Sequence, residues 1–220
     1  LACRADRGYS GADKAERDSM RLYSMPSSGN SYKVRMLAAL TGQSLDRVDC
    51  EYGSAALQQA KDQGALPFGK LPALRLDDGT TLAESNAILC YLGEGTAYWP
   101  ASRTLRAQML GWMFWEQYNH EPVIAVRQAL VSYPHRAADA TPDRLAYLLD
   151  RGHALLSVME DHLATQDWLV GDAASLADIC LYAYTHSAGA RGGFDMNRFP
   201  AVRGWLARVA ALPGHVTIDG

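Results

Sequence analysis

The chain has no apolar run near the roughly 20 residues that span a bilayer, which excludes a helical membrane protein. Its four cysteines, Cys3, Cys50, Cys90 and Cys180, are widely spaced. With no CxxC pair and no Cys/His cluster at ligand spacing, a zinc site, a disulfide framework and dithiol chemistry of the thioredoxin kind are all disfavoured. Strong charge is missing too: net charge is -3 over 220 residues, with a pI near 6.1, so neither nucleic acid nor an anionic membrane is indicated as a partner. Internal repeats are absent. Residues 1–19 mix charges of both signs with glycine, and have neither apolar periodicity nor the apolar core of a signal peptide. A leader, or an extension foreign to the rest of the chain, is expected there. The setting expected for the whole is reducing and cytoplasmic.

What is present is an ordinary globular composition, 48% hydrophobic and 20% charged, long enough for two small domains. From Met20 the pattern is βαβαββα. Arg21–Ser24 reads as a strand, followed by the turn-forming loop 25–30. A helix from Ser31 carries Val34, Leu37 and Leu40, and stops at Gly42. Leu45–Cys50 is a second strand and Ala55–Gln63 a short helix. The stretch Gly69–Leu76 then leads through Asp78-Gly79 into Leu82–Asn86, an antiparallel pair entering a helix from Glu84 to about Leu92. From Arg103 the chain reads as helix throughout. Leu105, Met109, Leu110, Trp112 and Met113 form a broad stripe on a long helix towards Val131, which Pro122 should kink or interrupt. Thr141-Pro142 and Phe199-Pro200 open later helices, and Ser175/Asp178 spell a capping box. The expected division is an extension at 1–19, an α/β domain at 20–95 and an all-α domain at 103–220.

In that order and spacing, three pieces resemble the glutathione S-transferase family, in its serine-type, theta- or zeta-like form. These are Ser27–Arg35, Lys70-Leu71-Pro72, and Glu84–Leu92, with the Ser175/Asp178 box beyond them. The resemblance implies a thioredoxin-like N-terminal domain (βαβαββα) and an all-helical C-terminal domain. It implies glutathione as co-substrate, no metal, and a homodimer serving detoxification. Its chemistry is activation of the glutathione thiol for attack on a small hydrophobic electrophile. A glutathione-dependent isomerase or dehalogenase, or a non-catalytic binding module of the same fold, are the alternatives.

The thiol chemistry has a simple ledger. A free thiol titrates near 8.5, and lowering that to about 7 takes roughly 2 kcal/mol of thiolate stabilisation. A hydroxyl donating to the anion supplies about 1.5–3 kcal/mol and a helix N-terminus about 0.3–1. Measured from Leu22-Tyr23, Ser28 falls where the family's catalytic hydroxyl stands, with Ser27 and the amide of Asn30 as alternatives. The resemblance gives glutathione the backbone of Leu71 beside a cis Pro72, the Glu84-Ser85 helix start, Lys70 and Asn30. The acceptor pocket is expected between the domains, near Met25 and Pro26, facing Met109, Trp112, Met113 and Glu116. His120, beside Pro122, and Asp178 are read as structural.

Overall fold

The computed structural model describes residues 20–219, so the extension expected at 1–19 lies outside the described residues. Four short strands form one sheet in the order β2-β1-β3-β4: β1 Arg21–Ser24, β2 Asp46–Asp49, β3 Ala73–Arg75 and β4 Thr81–Ala83. β1 pairs parallel with β2 and antiparallel with β3, and β3 with β4, Ala73 opposite Ala83. The parallel pair needs a crossover, which helix α1 (Gly29–Thr41) provides. The sheet obeys the two-residue period. Leu22 and Leu74 point into the main core with Val34, Leu37, Ile88 and Leu89, while Tyr23 and Ala73 turn to the opposite face. There they meet Cys50, Ala60 and Leu66, under α2 (Ala55–Asp62).

Helix α1 begins two residues earlier than its apolar period suggests, because Ser28 caps it and Gly29 is already helical. Its end follows expectation: Gly42 takes φ 68° and its N–H returns to the last turn. Helix α3 (Ser85–Gly93) starts one residue later than expected, after Glu84.

The long helix is interrupted as the proline requires. Regular α4 (Arg103–Trp115) gives way to a π-helical stretch at Glu116–Ala125 that contains Pro122, and α5 (Val126–Ser132) resumes beyond it. A proline has no N–H to donate and crowds the preceding turn, and the wider π spacing accommodates both. Then come α6 (Pro142–Leu163), capped by Thr141, α7 (Leu176–Thr185), α8 (Ala188–Gly192) and α9 (Pro200–Ala210).

The capping box at the start of α7 forms, and it does more than cap. Buried Asp178 accepts from the Ser175 N–H and hydroxyl, from Leu169 N and from Trp205 Nε1, so one carboxylate ties α7 to α9 and the preceding loop. A single apolar cluster runs from Leu22 in β1 to Trp205 in α9. No helix among the described residues is long and apolar enough to cross a membrane.

Candidate active site

The loop between β1 and α1 closes as a turn, with Ser28 N donating to Met25 O at 3.1 Å and Pro26 at a position that suits its fixed φ. Arg35 clamps it from inside the helix: Nη1 donates to Ser24 Oγ (2.8 Å) and Met25 O (3.4 Å), and Nη2 to Pro26 O (2.9 Å). Nη2 also reaches Ile218 O at 2.8 Å, so the C-terminal segment buttresses the same loop.

The four serines of the region are thereby separated. Ser24 and Ser31 are buried, the first accepting from Arg35 and the second from Met25 N. Ser27 donates to Glu51 Oε1 (3.0 Å) and accepts from the Tyr133 hydroxyl (2.8 Å). Ser28, half-buried, accepts only a long contact from Ser31 N at 3.5 Å and borders a cavity of ≈ 190 Å³. Gly29 is obligatory beside it, because a Cβ there would lie 2.5 Å from the Tyr184 ring. The Tyr184 hydroxyl accepts the free N–H of Asn30 (3.2 Å), and burial pushes that phenol up to about 12.

A second cavity of ≈ 290 Å³ collects the other expected residues: Asn30, Lys70, Leu71, Pro72, Glu84 and Ser85. The Leu71–Pro72 peptide is cis. Ser85 donates to Asn30 Oδ1 at 3.2 Å, joining the two helix starts across the sheet. Exposed Glu84 holds φ 69° and ψ 115°, the one described non-glycine residue with positive φ. Such a conformation costs about 1–3 kcal/mol and clusters at functional sites, where surrounding structure enforces it.

The wall of the first cavity differs from the one expected. Met109 and Met113 are buried in the core, and Trp112 packs edge-on to Trp115 and His162. Pro26 contributes its carbonyl to Arg35 and is not part of the cavity wall. Only Met25 of the expected set lines the cavity, opposite Ala125, Val126, Ala129, Tyr133 and Tyr184. The stripe on α4 is core, whereas the cavity is faced by residues within and beyond the π segment.

Glu116 is likewise drawn inward. It is fully buried against Lys33 Nζ at 2.8 Å, itself fully buried, with Gln117 and the Cys180 thiol on the same oxygen. Burial opposes both charges, yet Lys33 holds the Glu116 carboxyl below its ordinary range. The Cys180 thiol and Glu116 in turn raise the Lys33 ammonium. His120 bonds Thr185 Oγ1 at 3.0 Å, and burial pushes it down to about 4, which suits a neutral structural histidine.

Glu121, which sequence reasoning passed over, borders both cavities, and burial raises its carboxyl. Its only signal was the proline that follows it. Among the described residues no group of three His, Cys, Asp or Glu side chains is placed to hold a metal ion.

Two cavities meet at Glu121, a capped helix start at one and a cis-proline strand mouth at the other, and two family models match the chain that builds them. The glutathione S-transferase N-terminal domain matches residues 22–97 and the C-terminal domain residues 123–213. The chain belongs to the glutathione S-transferase family.

A glutathione S-transferase from Xanthobacter autotrophicus Py2 superposes on this transferase with TM-score 0.83 and 45% identity, covering 91% of this chain and 97% of that one. Glutathione S-transferase 3 of Zea mays is 31% identical over 88% of this chain and 90% of its own length. The disulfide-bond oxidoreductase YfcG of Escherichia coli K12 is 30% identical over 67% of this chain and 70% of its own.

Proposed function

We propose that this chain is a glutathione transferase that binds the tripeptide in the cavity of Leu71, Glu84 and Ser85. There it activates the thiol as thiolate for attack on a small electrophile entering beside Ser28. The supporting observation is the position of the Ser28 hydroxyl. It caps α1, borders the acceptor cavity, and alone among its neighbouring serines is neither buried nor tied to another side chain. In this reading the hydroxyl and the first turn of α1 both face the sulfur, the two modest contributions the thiol shift needs. The cysteine unit takes the backbone of Leu71, the γ-glutamyl ammonium meets Glu84, and its carboxylate the Ser85 helix start, with Lys70 and Asn30 on the remaining wall. The thiol proton leaves, the sulfur–carbon bond forms, and the leaving group departs with its electron pair.

Ser28→Ala is expected to lower turnover with a chloronitrobenzene by about tenfold, a loss of roughly 1.4 kcal/mol, while retention on glutathione resin changes little. Turnover unchanged in Ser28→Ala would remove the assignment. Disulfide-directed chemistry is the second reading. It is favoured by the relation to the oxidoreductase and by Asn30, which borders the tripeptide cavity at the start of α1, its Oδ1 taken by Ser85 and its side chain bonded to Glu121. Reduction of a small disulfide that survives Ser28→Ala and falls in Asn30→Ala would select it.

A homodimer in the cytoplasm completes the proposal. The groove between α3 and α4, lined by Ala87, Cys90, Leu110 and Phe114, is largely apolar, and Tyr91 and Phe114 stand exposed beside it.

A further inference from the structure

We infer that the cavity beside Ser28 takes a short anionic electrophile, whose carboxylate is recognised by Arg191 with Arg136. This deepens the preceding proposal and rests on it. A purely hydrophobic acceptor is the ordinary expectation for such a site, and the cavity does not fit it. At ≈ 190 Å³ it is smaller than the roughly 300 Å³ where sites for drug-sized ligands begin. Its apolar surface, Met25, Ala125, Val126 and Ala129 with the Tyr133 and Tyr184 rings, is interrupted by two guanidinium groups.

Arg191 is the telling one. It stands half-buried, and among the described residues no carboxylate lies within ion-pair distance of it, whereas Arg21, Arg136 and Arg208 each have one. Its two hydrogen bonds are long, Nη1 to Ser27 O at 3.2 Å and Nη2 to the Tyr133 hydroxyl at 3.4 Å. Of five N–H groups, three remain for a ligand.

The group is also held in a fixed pose. Tyr133 donates its proton to Ser27 Oγ at 2.8 Å, so its oxygen must accept from Arg191, and the guanidinium carbon sits 5.8 Å from the Tyr133 ring centroid. An oriented guanidinium with unused donors is suited to hold a carboxylate. Arg136 lines the same wall with its charge offset by the ion pair to Asp139 at 3.0 Å, leaving its remaining N–H groups as secondary donors.

Besides Asp139, two acids bear on this balance. Glu51 is satisfied by Ser27 N, Ser27 Oγ and Tyr52 N, and does not line the cavity. Glu121 does line it, at the boundary with the tripeptide cavity, and burial favours its neutral form. With Arg136 offset by Asp139, Arg191 is the guanidinium of the wall that no described carboxylate pairs, and it favours an anion beside the thiolate. The competing role for Arg191 is to tie α8 to the Ser27 loop, and nothing more.

The test compares S-carboxymethyl-, S-(2-carboxyethyl)- and S-(3-carboxypropyl)-glutathione with their carboxamides by titration calorimetry, alongside glutathione itself. Each pair differs only in the group offered to Arg191. At least one acid should bind about tenfold more tightly than its amide. Arg191→Gln should bring that ratio close to one while amide affinity stays within about twofold. Equal binding of acids and amides to the unaltered protein overturns the inference, as does a ratio that survives Arg191→Gln. If Arg191→Gln does not fold, Arg191→Lys and Arg136→Gln serve instead. A reduced ratio in either supports the inference, and an unchanged ratio in both sinks it. Glutathione bound without acid preference rejects the inference and leaves the transferase reading standing, whereas no binding of glutathione itself rejects both.

Discussion

The two cavities are built by different means. The cavity proposed for the tripeptide takes its shape from backbone conformations close in sequence: the cis Leu71–Pro72 peptide, Glu84 at φ 69° and the start of α3, on strands only three residues long. The acceptor side is formed by side chains of helices that meet far from one another in sequence, Tyr133, Tyr184 and Arg191 against the Ser27–Ser28 loop. Backbone recognition serves a constant ligand, because peptide groups are the same whatever residue carries them. Side-chain recognition can diverge without disturbing it. Besides the shared apolar core, the two halves meet in a polar cluster of Lys33, Asn86, Glu116 and Cys180, drawn from α1, α3, the π segment and α7.

The largest expected effect breaks that joint. Lys33→Met leaves Glu116 buried without its cation and should lower unfolding stability by about 3–5 kcal/mol in denaturant titrations. The double substitution Lys33→Met/Glu116→Leu should recover most of the loss, since replacing both ions with apolar groups is often near neutral. A double variant as unstable as the single one would show that the ion pair does not connect the halves energetically.

Acid should strain the helical side next. His120 is held down to about 4, below its ordinary 6.5, by burial. A histidine with a lowered folded pKa binds fewer protons folded than unfolded between those values. Its contribution is therefore intact above about pH 6.5 and fades as pH falls towards 4, by roughly 3 kcal/mol in all. His120→Gln should flatten that part of the stability profile; an unchanged slope would place the acid sensitivity elsewhere.

The smallest effect sharpens the contrast on the sheet side. Glu84→Gly relieves a backbone conformation that only glycine adopts freely, and should raise stability by about 1 kcal/mol. It also removes the carboxylate that faces the tripeptide cavity, so glutathione affinity should fall in the same variant. Stability and affinity moving together would mean that the φ of Glu84 is not held for the ligand.

The geometry of the sheet side was legible because it sits in residues that mark local structure. A proline at a strand mouth, a polar helix start and a capping serine are each visible in a few consecutive letters. The helical side was not. The stripe of Met109, Trp112 and Met113 has the period of a pocket wall and of a core alike, and here it is core. Pro122 announced an interruption but not its form. Glu116, seven residues after buried Met109, continues the inward face to Lys33, and beyond it the π stretch changes the count, with Glu121 facing the cavities. Counting at 3.6 residues per turn cannot carry a face through such a segment.

Periodicity, turn chemistry and capping are local properties, so the order βαβαββα, the helical second half and the position of Ser28 on its loop were set by the letters themselves. The tertiary structure decided which serine stays free of side-chain partners, since that depends on Arg35, Glu51 and Tyr133 arriving from elsewhere. It also left Arg191 beside the acceptor cavity, where no described carboxylate meets it. A partner's absence is a fact about space, and no window of sequence contains it.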